Sequence, residues 1–322
     1  MVAVVTAMHR IVAWWFAPLP RARIAWLRTI LYLFIFVDVF ITTAWVGRHG
    51  QIPGDLYDPL QIGRLLPLPT PRPGTVAVVQ FSLLLFAAIA ATGRLPRVAG
   101  TAVALLYAQW MFFAFSYGKV DHDRVAFLVA LAVLPAAGPA RWSDRDADDG
   151  AGWAIRAIQV AVVLTYFLAA FAKLRFGGVD WATGATLMRA VIRRGTSLGD
   201  PLESVPLLLT ATQWFIIAFE LASPLLLTSG RIGRAMLAVC LAFHAVTFAT
   251  IAIIFLPHVV CLLSFVPLEG LSATRRGFWT TSGAPRPLGR RPWGARRTTR
   301  ASADEPAPAG RRTPIGRPGA GA

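Results

Sequence analysis

Residues 155–175 read IRAIQVAVVLTYFLAAFAKLR, an apolar stretch long enough to cross a bilayer as one helix and closed by a lysine and an arginine. Gln159, Tyr166 and Lys173 recur within it every seven residues, so a helix carries them along one face with about 20° of drift per heptad. A soluble helix of this length would show a broad polar face. Here one narrow polar stripe runs through an otherwise apolar cylinder, the pattern of a membrane helix facing a bundle interior.

Comparable runs lie near 24–46, 75–92, 99–117, 124–139 and 205–227, and a longer one covers 235–268 with Pro257 and His258 inside it. Proline removes a backbone donor, so this last run is expected to form two short helices or one broken one. The chain is therefore expected to be an all-α integral membrane protein, a multi-span helical bundle of about eight transmembrane helices. Composition agrees: 322 residues with 56% hydrophobic and 15% charged residues exclude an ordinary soluble domain. Cys240 and Cys261 lie in apolar runs and form no CxxC, which points away from a metal or redox pair.

The formal charge is +16, and residues 270–322 hold 11 of the 32 basic and 2 of the 16 acidic residues. Basicity of this kind follows from the positive-inside rule, and no nucleic-acid partner is expected. With eight spans and an inward N-terminus, 22 Lys and Arg fall inside and 10 outside, so a plasma-membrane protein with both termini in the cytoplasm is expected. Three segments result: 1–23, an interfacial segment with Trp14, Trp15 and Phe16 and no cleavage site; 24–269, the transmembrane domain; and 270–322, a disordered basic tail whose arginines face solvent or touch anionic lipid.

Ionisable residues within the spans are few: Asp38, Lys173, Glu220 and His244, with His122 at a boundary. Each costs free energy in hydrocarbon unless it faces a bundle interior, so each is a site candidate. Lys173 either snorkels to the interface or sits in an apolar pocket that favours its neutral form, as a general base requires. His244 follows Cys240 and precedes Thr247 at i, i+4, i+7, as a packing histidine or a catalytic one. Glu220, one heptad after Gln213, balances a buried cation such as an arginine or relays protons. His122 stands in a mixed-charge boundary, residues 119–124, that reads as a solvated turn or as part of an outward-facing site. Asp38 has no evident partner but Arg28. No P-loop, GxSxG, HExxH or GxGxxG in a strand-to-helix setting occurs, which argues against a nucleotide-driven pump or a common hydrolase.

Three stretches together resemble a known family: Tyr166–Leu174 followed by Asp180-Trp181-Ala-Thr-Gly184; Phe243-His244; and Ile253-Ile-Phe-Leu-Pro257-His258. Over roughly residues 20–270 the chain resembles the membrane core of the vitamin K-dependent gamma-carboxylase and the wider horizontally transferred transmembrane (HTTM) group. The resemblance implies catalytic residues Lys173, as the base that deprotonates a reduced quinone of the vitamin K type, with His122 and His244 as helpers. The family usually has a second lysine where this chain has Ala172, and a tyrosine where it has His258. The same core is similar to a maturation factor for an exported peptide toxin, implying as alternative a non-enzymatic accessory protein. A small permease is a further alternative, but the internal pseudo-symmetry it calls for is not visible. The partners implied are the bilayer and a quinol or an exported peptide.

Residues 280–322 offer no apolar surface able to offset the entropy of ordering them. Their deletion is expected to leave the thermal unfolding midpoint of the detergent-solubilised protein unchanged, and a clearly lower midpoint would contradict the reading.

Overall fold

The computed structural model describes residues 2–118 and 120–272. The chain divides into Met1–Trp279, which holds all of these, and Thr280–Ala322, which lies outside them, as does the tail from residue 273 onward.

The order of helices is α1 (Val2–Trp15), α2 (Arg21–Val37), α3 (Gln61–Leu65), α4 (Pro73–Ala91), α5 (Pro96–Phe115), α6 (Val125–Val133), α7 (Asp149–Gly177), α8 (Asp180–Thr183), α9 (Thr186–Arg194), α10 (Pro206–Leu221), α11 (Arg231–Ile251) and α12 (Leu256–Cys261). Proline opens α4, α5 and α10, where its missing N–H is no loss and its fixed φ suits the first turn. Asp148 caps α7, its Oδ1 accepting from the Ala151 N–H at 2.9 Å. The only strand pairing among the described residues joins Leu19–Pro20 (β1) antiparallel to Ala147–Asp148 (β2).

The protein is a helical bundle, and among the described residues five helices are long and apolar enough to cross a membrane: α2 with its extension to Thr42, α4, α5, α7 and α11. The other expected runs are helical but shorter. Residues 124–139 form nine-residue α6 and a four-residue 3-10 turn, Leu134–Ala137; residues 205–227 form 16-residue α10 and the 3-10 turn Ser223–Leu227. The long last run divides, but not at Pro257. The chain leaves α11 at Ala252, which takes the left-handed conformation at φ 52°, and Pro257 then falls in the first turn of α12. Proline there starts a helix instead of breaking one.

The core packs α2 on α4, α4 on α5, α5 on α6, and α6 and α10 on α7. α11 is peripheral: 11% of its most apolar 18-residue window is buried, against 50% for α2, α5 and α7. α1 is largely exposed, and Trp14 touches the body through the Arg156 guanidinium, 4.8 Å above its ring.

Asp38 is fully buried, and its partner is Arg124, not Arg28. Arg124 Nη1 donates to Asp38 Oδ1 at 2.6 Å, and Tyr107 OH donates to Oδ2 at 3.0 Å. A π-helical turn, Asp38–Thr42, sets Thr42 within reach of Arg124 Nη2 at 3.2 Å, and Trp110 Nε1 donates to Thr43 Oγ1 at 3.0 Å. α2, α5 and the start of α6 thus meet at one satisfied ionic network. Because Asp38 and Arg124 are 86 residues apart, their pairing is invisible to local spacing.

Removing one partner of a buried pair strands the other charge, at a cost of about 3–5 kcal/mol. Asp38→Asn and Arg124→Gln are each expected to lower the detergent-state unfolding midpoint by several degrees. Asp38→Leu with Arg124→Met is expected to cost much less than the sum of the single losses, as a double-mutant thermal series will measure.

Candidate functional site

A cavity of about 290 Å³ opens between α7, α9, α10, α11, α12 and the turn before α6. Its polar wall contains Lys173, Glu220, His122, Asp123, Tyr166, His244 and His258; its apolar wall is built from residues such as Ile216, Phe243, Ile251 and Phe255. Lys173, His122 and His244, chosen from sequence, therefore share one cavity.

Lys173 donates to both carboxylate oxygens of Glu220, each at 2.7 Å. The glutamate side chain is 5% exposed and the lysine 21%. The cation that Glu220 balances is thus a lysine, and Lys173 turns inward instead of snorkelling. The indole of Trp181 adds a cation–π contact, with Nζ 5.3 Å from the ring centroid.

Trp181 is held over the cavity by Gln213. The Gln213 amide donates to the carbonyls of Ala182 at 2.7 Å and Gly184 at 3.0 Å, and its oxygen accepts from the Leu187 N–H at 2.7 Å. A Cβ on Gly184 would lie 2.6 Å from the Asp180 carbonyl oxygen, so this turn admits only glycine without a backbone shift. The polar stripe of α10 therefore divides its work: Gln213 positions a loop and Glu220 holds a charge.

The stripe on α7 does likewise. Gln159 donates to the Ser264 carbonyl at 2.8 Å, tying α7 to the end of the bundle. Tyr166 OH lies 2.7 Å from His244 Nε2, and Lys173 meets Glu220. His244 is buried, with its Nδ1 lacking a hydrogen-bond partner among the described residues. His258 packs edge-on against Tyr166 at 4.5 Å and is 2% exposed, with neither ring nitrogen bonded among the described residues. Sequence reading did not select His258 as a site residue. Its signals in the sequence are its place after Pro257 and its standing where the resembled family has a tyrosine.

His122 leads a 3-10 turn, His122–Arg124, and its ring lies 6.4 Å from that of Phe255. Burial pushes its pKa below the ordinary histidine value, the nearby Lys173 charge pushes it down further, and Asp121 opposes them. Burial lifts the neighbouring Asp123 carboxyl to about 6 against the pull of Arg124. His122 is therefore a neutral donor or acceptor at pH 7, and the turn is more than a solvated boundary.

The arrangement sets a lysine–carboxylate pair and imidazole rings on one wall of a largely apolar cavity. Among the described residues no group of His, Cys, Asp and Glu is placed to hold a metal ion. No protein-family model, curated protein or solved structure matches this chain.

Folded His122 binds its proton more weakly than an unfolded histidine, so its contribution to stability is complete above about 6.5 and is lost as pH falls below that value. Lys173→Met removes one of the two causes of the shift. It is expected to raise the His122 midpoint towards the ordinary histidine value in an NMR titration of isotope-labelled histidine, whereas an unchanged midpoint would show that the two groups do not interact.

Proposed function

We propose that this protein is a membrane enzyme with a carboxylase-like HTTM core, in which Lys173 removes a proton from a lipid-soluble weak acid. The observation that carries the reading is the convergence of Lys173, His122 and His244 on one largely apolar cavity, with Glu220 against the lysine. The proposed setting is a plasma membrane crossed eight times, the three shorter apolar segments completing the count, with both termini in the cytoplasm.

The resting pair is an ammonium on a carboxylate. Passing one proton along the 2.7 Å contact converts it to an amine and a carboxylic acid, two neutral groups that an apolar pocket tolerates more readily than two ions. The amine then accepts a proton from the substrate at Nζ, while Glu220 keeps the first. His244, oriented by Tyr166, and neutral His122 are the groups available to hydrogen-bond the anion that develops. A reduced quinone fits the donor set, because the cavity pairs aromatic and aliphatic walls with a base; bound there, it would supply the weakly acidic hydroxyl.

A second reading is favoured by the same contact: a bidentate Lys173–Glu220 bridge also fastens α7 to α10, which a non-enzymatic accessory or peptide-maturation factor would need. Arginine separates the two. It preserves the bridge but does not give up a proton. In an assay following oxidation of a naphthohydroquinone by dissolved dioxygen, with the purified protein as catalyst, Lys173→Met and Lys173→Arg are each expected to lose about a hundredfold or more, the usual range for a general base. Full activity of Lys173→Arg would eliminate the base and leave the accessory reading.

A further inference from the structure

We propose a second binding site, at the end of the bundle away from Lys173, that takes the phosphate group of an anionic phospholipid. It rests on none of the chemistry proposed for the Lys173 cavity. A cleft of about 680 Å³ opens where α2 begins, α4 ends, α5 begins and the chain approaches α7. Asp149, at the near end of α7, and Lys173 are separated by roughly 36 Å of helix.

Among the described residues, three guanidinium groups, Arg28, Arg94 and Arg141, line this cleft and no carboxylate does. Arg28 is the built-in element. It is 1% exposed, yet its charge is not neutralised: Nη1 donates to the Gly138 carbonyl at 3.0 Å, Nη2 to the Ala140 carbonyl at 2.9 Å, and Nε has no hydrogen-bond partner among the described residues. Gly93, at φ 77°, lets the backbone turn beside this guanidinium; a Cβ there would lie 3.2 Å from Nη2. A buried cation held only by neutral carbonyls is costly without an anion nearby.

The exposed Arg94 and Arg141 have no ion pair among the described residues. Of the acids close by, Asp144 accepts from the Arg141 backbone N–H at 2.9 Å but forms no ion pair with the Arg94 or Arg141 guanidinium among the described residues, Asp148 pairs with Arg21, and Glu269 is clamped by Arg23. The site is thus a concave surface with three guanidinium groups that form no ion pair among the described residues.

Its other wall indicates a lipid. Trp26 and Trp142 stack with centroids 5.6 Å apart, and each indole N–H is spent on a hydroxyl, Ser272 Oγ at 2.8 Å and Thr29 Oγ1 at 3.1 Å. Tryptophan beside arginine at the end of membrane-length helices is the composition of the headgroup layer, where the aromatic ring meets acyl chain and the cation meets phosphate. Like charge disfavours the chain's own C-terminal residues as the occupant, since 270–322 carries 11 basic residues and 2 acidic ones.

Native mass spectrometry of the purified full chain, with phosphatidylglycerol, phosphatidylcholine or inorganic phosphate added, tests the proposal. The wild type is expected to retain phosphatidylglycerol at least about tenfold better than phosphatidylcholine. Arg94→Gln with Arg141→Gln, both at exposed positions, is expected to lose about tenfold or more of that binding. Arg234→Gln with Arg231→Gln, the same charge change away from the cleft, should lose little. Displacement of the lipid by millimolar inorganic phosphate would replace the lipid with a soluble anion and overturn the assignment. So would equal retention of the two lipids, or undiminished phosphatidylglycerol binding by the Arg94/Arg141 variant. Lys173→Met should bind phosphatidylglycerol like the wild type whether or not Lys173 is a base, so this result and the quinol assay fail independently.

Discussion

Charge within an apolar bundle has no water to answer it, and the arrangement of this protein follows from how each buried charge is answered from inside. Asp38 and Arg124 form one answer, made tolerable because Tyr107 and Thr42 occupy further hydrogen-bonding positions around the pair. Lys173 and Glu220 form the other, on α7 and α10. The first network joins α2, α5 and the approach to α6; the second joins the helices that bound the cavity. Arg28 differs from both pairs, a buried cation whose acceptors among the described residues are neutral carbonyls, and a second cleft with two further arginines opens around it.

The two pairs differ in a way that matters for chemistry. Asp38 and Arg124 are sealed at 0% and 6% exposure, and a guanidinium does not release its proton, so that pair is suited to holding helices together. Lys173 lines a cavity, and an ammonium can pass its proton to the carboxylate against it. Around it, His122 and His244 are imidazoles at the cavity wall, and Tyr166 sets the orientation of His244. His258 adds a buried ring whose nitrogens find no partner among the described residues, which costs free energy.

Much of the element pattern was legible in the chain. Apolar length predicts helices because a backbone in hydrocarbon must satisfy its own hydrogen bonds, and every expected run is helical in whole or large part. Seven-residue spacing brought out Gln159, Tyr166 and Lys173 on one helix and Gln213 and Glu220 on another, since helical geometry repeats the same face whatever lies opposite. Those stripes did face the interior. A proline that lacks an N–H predicts a helix break at Pro257, yet a first-turn proline loses nothing by that lack, and the break lies at Ala252.

What periodicity could not supply was the partner of each polar residue. Local spacing offers Asp38 only Arg28, ten residues away on the same run; the fold gives it Arg124, and gives Arg28 two carbonyls beyond α6. Glu220 is expected from sequence to balance a buried cation such as an arginine or to relay protons, and the fold sets Lys173 against it. The sequence by itself determined that the chain is a bundle of apolar helices with inward polar stripes, because amphipathic spacing is a property of one helix at a time. Only the tertiary structure decided which stripes meet, since pairing depends on how helices distant in the chain pack, and that packing joins contacts 47 and 86 residues apart.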